Sequence, residues 1–282
     1  MCGIVGFISK NKKPDGERRN LLEAMCRSIR HRGPDEQGTL IEGRAALGMR
    51  RLSIIDLKTG QQPIFSCDGN LAIVFNGEIY NFRELKTDLE QRGHRFKTNS
   101  DTETIVHAYE EYGAACVEHL RGMFAFAIWD ISAEKLFLAR DRVGKKPLFY
   151  TLTNDGDFVF GSELKSLLET SEIERKISVS ALDAFLTFGY VPEELCIFEN
   201  VKKLAPAHTL TFQNDTITIE NYWDFPLLEN SKIGDEREIL EELNCLLEES
   251  VRIRLISEVP LGAFLSGGVD SSAIVGLMSR HS

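Results

Sequence analysis

Met1-Cys2-Gly3-Ile4-Val5-Gly6-Phe7-Ile8 opens the chain. Residues 3–8 carry no charge and read as a buried strand that begins almost at the terminus, with a cysteine directly before it. The stretch is too short for the apolar region of an export signal and lacks a basic start. Beyond it, residues 19–30 look helical and stop at His31-Arg32-Gly33-Pro34-Asp35, where Gly-Pro forces a turn. Short strands are expected near 45–54 and 71–75, the second running into an Asn76-Gly77 turn. Phe82, Leu85 and Leu89 share one helical face, and Ser100 to Glu103 fits a capping box opening a helix over 101–112. From Met123 the pattern changes to strands at 123–129, 135–140, 147–152 and 158–161, with Asp155-Gly156 as a hairpin signal. Helices are expected at 163–169 and 179–187, and a hairpin around Gln213-Asn214-Asp215. This mixture gives an α+β fold of antiparallel sheets covered by helices.

The polar stretch Glu229–Asp235 reads as a linker. After it, Ile239, Leu240, Leu243, Leu246, Leu247 and Val251 mark a strongly amphipathic helix. Pro260–Leu265 reads as a buried strand, Ser266-Gly267-Gly268 as a loop, and Asp270 as a helix start. Strand, loop and helix form the opening unit of a parallel α/β domain, and about a dozen further residues cannot complete such a sheet. A length of 282 residues suits two domains, and the 43% apolar and 27% charged fractions are those of a globular protein. A net charge of −10 argues against a nucleic-acid partner. No apolar run reaches the length of a membrane span. Six cysteines, at 2, 26, 67, 116, 196 and 245, are scattered without paired spacing, which suits free thiols in a reducing cytoplasm.

Several residues carry chemistry worth weighing. If Met1 is removed, Cys2 bears a thiol and an α-amine whose reference pKa of about 7.7–8.0 suits a base. Alone, it reads more readily as a small apolar residue, since buried free cysteines are common. Asn76 and the Gly77 N–H could form the two donors of an oxyanion hole, or simply a turn. Arg51 could fork onto a carboxylate, or lie solvated on its strand. Asp101 could bind an ammonium, though acids favour the first helical turn anyway. His107, Cys116 and His119 straddle a helix end at a spacing unsuited to zinc. His31 reads as a local support, and Lys145-Lys146 as a solvated hairpin. Phe264 to Ser272 offers glycines and a helix start suited to phosphate oxygens, without the Gly-Lys-Ser/Thr ending of a Walker loop.

Taken in order, MCGIVGF at 1–7, HRGPDEQG at 31–38, RLSIID at 51–56 and FNGEIYN at 75–81 resemble the class II glutamine amidotransferases. SD at 100–101, GMFAFAIWD at 122–130, ARDRVGKKPLFY at 139–150 and SELKSLL at 162–168 continue the match. Within that group the resemblance is to glutamine-hydrolysing asparagine synthetases, and it covers essentially the whole chain. It implies an N-terminal-nucleophile fold over residues 2–228. It also implies the first unit of an ATP pyrophosphatase domain over 236–282, truncated within the synthetase. Cys2 would attack the glutamine amide, with Asn76 and Gly77 holding the oxyanion. Arg51 would take the α-carboxylate, Glu78 and Asp101 the α-ammonium, and the backbone of Leu52, Ser53, Ile54 and Ile55 would line the pocket. Phe264 and Leu265 would face adenine of ATP, with Ser266, Gly267, Gly268, Asp270, Ser271 and Ser272 around its phosphates and Asp270 helping to hold Mg²⁺.

The resemblance further implies aspartate as nitrogen acceptor, no cofactor for glutamine hydrolysis itself, and room for a homodimer. The Phe185–Phe212 segment resembles a longer variant of the domain that also occurs in relatives linked to bacterial surface polysaccharides, whose acceptor need not be aspartate. A bare glutaminase and a non-catalytic assembly module are the other readings.

Overall fold

The computed structural model describes residues 2–11, 13–226 and 235–281, which divide into two compact units at residues 224 and 225. The first unit opens with β1 (Gly3–Ile8), α1 (Asp15–Ser28), β2 (Glu36–Glu42), β3 (Ala45–Arg51), β4 (Ile64–Phe65) and β5 (Leu71–Ile79). Helices α2 (Phe82–Gln91), α3 (Asp101–Tyr112) and the single turn α4 (Cys116–His119) follow. Next come β6 (Gly122–Asp130), β7 (Lys135–Arg140), β8 (Phe149–Leu152) and β9 (Phe158–Gly161). The unit closes with α5 (Leu164–Leu167), α6 (Val179–Phe188), β10 (Lys202–Lys203), β11 (His208–Gln213) and β12 (Thr216–Asn221).

These strands build two antiparallel sheets, ordered β10-β8-β9-β1-β3-β2 and β12-β11-β7-β6-β5-β4. The period-two alternation of β1 divides its side chains between two cores. Ile4 and Ile8 join Val74, Trp129, Leu138 and Phe212 between the sheets. Val5 and Phe7 join Leu22, Met25 and Ile29 beneath α1. The expected α+β layering is therefore present, with all of β1 buried.

Local expectations fare unevenly. α1 starts at Asp15, earlier than residue 19, because Pro14 suits a helix entry and Asp15 and Glu17 favour its positive end. β2 was not expected, since EQGTLIE carries a glycine and polar alternation; it is an edge strand held by its ladder to β3. The β11–β12 hairpin turns on Asn214 and Asp215, both at positive φ, as a two-residue primed turn requires.

Asn76-Gly77 is not a turn. β5 runs on to Ile79, with Asn76 opposite Ala125 and Gly77 opposite Phe124. A full partner strand outweighs the local turn preference. Glycine is required there because a Cβ would lie 2.1 Å from the Met123 carbonyl oxygen. The capping box is also corrected. Ser100 accepts from the Thr102 N–H, but Glu103 does not reach back to Ser100. Its carboxylate instead accepts from the N–H groups of Lys97 and Thr98, at 2.8 and 2.7 Å, and from the Thr98 hydroxyl. It thereby ties the incoming loop to the helix.

The linker expected at Glu229–Asp235 lies, apart from Asp235, outside the described residues. In the second unit α7 (Glu236–Arg252) packs with α8 (Val269–Met278). Ile239, Leu240, Leu243 and Leu246 on α7 are about half exposed. Pro260–Leu265, expected as a buried strand, forms none, and Phe264 is fully exposed. A lone parallel strand leaves its N–H and C=O groups unpaired, and no described residue supplies a neighbour.

Glu103 yields a stability prediction. Burial alone would raise its pKa, but His107 at 3.7 Å and the Lys97 and Thr98 donors hold it at about 2. A depressed carboxylate stabilises the fold above its unfolded pKa and loses that effect as pH falls. Glu103→Gln should cost about 2 kcal/mol at pH 7, read by urea unfolding. The difference should shrink as pH falls from about 4.5 toward 2.

Candidate active site

Cys2 stands at the head of β1, where Gly3 pairs with Arg50 of β3. Its Sγ lies against Leu52, accepting from the backbone N–H at 3.4 Å and facing the carbonyl oxygen at 3.6 Å. Its carbonyl accepts from Arg32 Nε at 2.8 Å. Arg32 is in turn paired with Glu163 at 3.0 Å, which His31 also reaches at 2.7 Å. The HRG segment thus clamps the Cys2 backbone. Gly33 allows this, since any Cβ there would sit within 2.4 Å of the Arg50–Arg51 backbone. Burial pushes the Cys2 thiol pKa up and Asp101 adds to that, while the Leu52 contact and the Arg51 charge work against it.

Facing Cys2 across a cavity is the free edge of β5. Phe75 N–H donates to Gln62 Oε1 at 2.7 Å, and Ile79 N–H donates to Asp101 Oδ2 at 3.0 Å. Strand periodicity turns the Gly77 N–H to the same side. Phe124, opposite Gly77, gives its own N–H and C=O to Asp141 instead. Asn76 is fully buried, and neither its Nδ2 nor its Oδ1 has a hydrogen-bond partner among the described residues. A buried amide left so costs roughly 1–3 kcal/mol unless something else engages it.

The same cavity is lined by Cys2, Arg51, Leu52, Ile54, Ile55, Asn76, Gly77, Glu78 and Asp101. The residues expected to act on or bind glutamine therefore converge, with one exception. Ser53 is not part of the wall, and its N–H donates to Asp35 Oδ2. Arg51 is more committed than a free fork. Nη1 pairs with Glu36 at 2.8 Å, and Nη2 donates to the carbonyls of Ile55 and Asp56. That bonding shapes the 52–56 loop, which Asp56 fastens to the Asn99 N–H beside α3.

Two carboxylates share the pocket. Burial raises the pKa of Glu78, with Lys146 opposing. Burial also raises Asp101, to about 7, against its hydrogen bond from Ile79 and with Glu78 reinforcing the rise.

Sequence reading missed Gln62, Phe75, Ser100, Thr102, Met123 and Lys146 as parts of the wall. Gln62 carries no motif of its own; it bridges Phe75 and Thr102. Of the lysine pair expected to be solvated, Lys145 is exposed but Lys146 is buried. Cys116 and His119 do not join His107: Cys116 is buried elsewhere and His119 stacks on Tyr112 at 3.9 Å. His107 gathers instead with His94 and Glu110, one ligand atom each within 4.8 Å. Its Nδ1 lies 2.6 Å from Glu110, the span of a shared proton; two ligands on one tetrahedral zinc sit about 3.3 Å apart.

The second unit holds the remaining candidates on one exposed loop. Gly267 has φ +82°, and the Ser266 and Ser271 hydroxyls lie 2.9 Å apart. Asp270 sits in the first turn of α8, next to Ser271 and Ser272. Phe264 and Leu265 precede them, exposed.

A glutamine amidotransferase domain model matches residues 1–223, and an asparagine synthase model matches 242–282. The chain is 38% identical over 288 residues to asparagine synthetase (glutamine-hydrolyzing) 3 of Bacillus subtilis strain 168. That match covers 100% of this chain and 46% of the relative. A putative asparagine synthetase (glutamine-hydrolyzing) 2 of Methanocaldococcus jannaschii is 38% identical, covering 99% and 57%. The chain thus spans about half the length of the curated relatives it matches. Among solved structures, the glutamine phosphoribosylpyrophosphate amidotransferase of B. subtilis, complexed with ADP and GMP, aligns with a TM-score of 0.56 at 21% identity. It covers 79% of this chain and 49% of that one, a likeness of fold.

Asp101 gives the prediction. An acid whose folded pKa is raised favours folding most below its unfolded pKa, near 3.8, and that contribution is lost as pH rises through about 7. Asp101→Asn should therefore raise stability at pH 8 by about 2 kcal/mol, measured by thermal or urea unfolding. Equal stability of the two proteins at pH 8 would remove the strain assigned to this carboxylate.

Proposed function

The chain belongs to the class II glutamine amidotransferases, the group that includes glutamine-hydrolysing asparagine synthetases, and on that premise we propose that it hydrolyses glutamine through Cys2. The observation that carries the reading is Asn76: a fully buried carboxamide on the cavity wall, with neither polar atom engaged by the described residues. A protein retains such an unpaired group where a ligand completes it.

The steps follow from this chain's own groups. With Met1 removed, the Cys2 α-amine takes the thiol proton, and the thiolate attacks the side-chain amide carbon of glutamine. Asn76 Nδ2 and the Gly77 N–H donate to the oxygen that becomes an oxyanion. The α-ammonium returns its proton to the departing nitrogen, which leaves as ammonia, and a thioester remains on Cys2. Water, deprotonated by the same amine, attacks that thioester and releases glutamate. Asp101 and Glu78 carry the charge complementary to the substrate's α-ammonium. Arg51, with Nε and one Nη1 hydrogen left over from its protein contacts, serves the α-carboxylate. The backbone of 52–55 shapes the wall beside it.

For the whole enzyme, the naming of the relatives as asparagine synthetases supports aspartate as the acceptor, with ammonia converting it to asparagine. The loop of Ser266–Ser272 fits a pyrophosphate. Gly267 takes a backbone conformation that side chains disfavour, two hydroxyls flank it, and Asp270 offers a hard oxygen suited to Mg²⁺. ATP bound there would supply activation of the acceptor carboxylate, released as AMP and pyrophosphate.

Cys2→Ala should abolish glutamate release from glutamine while leaving the circular dichroism spectrum unchanged. Activity surviving at the wild-type level would refute the assignment. Asn76→Ala should lower kcat by roughly 10²–10³ with little change in KM. A purely structural Asn76 would instead show lost stability at retained kcat.

A further inference from the structure

Lys146 is the charged group in the cavity that the proposed chemistry leaves without a role. It is 4% exposed and lines the wall with Cys2, Glu78 and Met123. Its backbone is fixed on both sides: the N–H donates to Asp141 Oδ2 at 2.9 Å, and the carbonyl accepts from Arg140 Nε at 2.7 Å. Arg140, itself 4% exposed, spends its other donors on Gly144, Leu204 and Glu193. The lysine is thus aimed into the cavity by a saturated guanidinium. No ion pair within 4.0 Å and no hydrogen bond among the described residues engages its Nζ. Packing alone does not account for it, because an apolar residue would fill the space without the desolvation cost of an ammonium.

The charges around Cys2 indicate what the ammonium does. Arg51 faces it from β3, but that charge is shared with Glu36 and two carbonyls. Asp101 faces it from α3 and disfavours a thiolate, and Glu78 lines the same cavity from β5. Arg32 is bound to the Cys2 carbonyl and to Glu163. Apart from the α-amine, Lys146 is the cation in the cavity left uncommitted among the described residues. Burial lowers its pKa, and Glu78 and Cys2 are the first groups to oppose that.

We propose that Lys146 is a positioning residue of the hydrolysis site, the counter-charge that favours the Cys2 thiolate in a cavity holding two carboxylates. The role rests on Cys2 being the nucleophile proposed above. Lys146 moves no proton in it: the thiol proton goes to the α-amine, and the ammonium acts through its field. The effect is present while Lys146 is protonated and fades as pH rises through its own pKa, which lies below that of an ordinary lysine.

The test is the pH dependence of Cys2 alkylation by iodoacetamide, read at the Cys2 peptide by mass spectrometry because Cys67 and Cys245 are also exposed. Lys146→Met should raise the midpoint by roughly one pH unit. Lys146→Gln should do the same, and Lys146→Arg should restore the wild-type midpoint. A midpoint unmoved in both charge-removing variants, with wild-type unfolding midpoints, would overturn the proposal. So would a variant whose only change is a higher glutamine KM, which would assign Lys146 to the substrate. Alkylation needs no glutamine, so a chain that hydrolyses none but shows the shift would sink the amidotransferase reading and leave the thiolate partnership standing.

Discussion

The burial of β1 between β3 and β9 is the constraint on which the rest depends. A first strand with partners on both sides cannot fray, so the residue before it is held as firmly as the core. Six buried positions in a row, feeding two cores on alternate faces, supply the anchoring. Termini are ordinarily poorly ordered. Here Cys2 is held by the paired strand that follows it and by an arginine on its carbonyl.

The opposite wall solves a different problem. Along β5, alternate N–H groups face away from β6, and β4 pairs only with Ala72 and Ile73. Past that short strand, the exposed edge is met by side chains rather than by a ladder: Gln62 takes one donor and Asp101 another. The donor between them, at Gly77, is left for the cavity. Ending a sheet edge early leaves ordinary backbone polarity facing the cavity, and Asn76 adds beside it a carboxamide with no partner among the described residues.

Charge in the pocket is finely balanced. Two carboxylates are held at raised pKa values by burial, and Asp101 reaches about 7. Two cations lie within the same wall, one already spoken for by Glu36. Such opposed groups destabilise a fold and are kept where chemistry uses them.

The sequence alone determined the layered α+β class, the buried opening strand, and a core of the pocket wall around Cys2, Arg51, Asn76, Gly77, Glu78 and Asp101. These were legible because burial writes itself as apolar runs and because spaced motifs such as FNGEIYN and HRGPDEQG occur together in one order. It did not reveal that Asn76-Gly77 lies in a strand, that Glu103 caps the incoming loop, or that Lys146 is buried while Lys145 is exposed. Those outcomes depend on partners far along the chain: β6 for Asn76-Gly77, and Asp141 with Arg140 for the turn that aims Lys146. Local propensity ranks what a segment prefers by itself. Only the tertiary structure decides when a distant hydrogen-bonding partner overrides that preference, because the paired state is lower in free energy than the turn or solvated side chain it replaces.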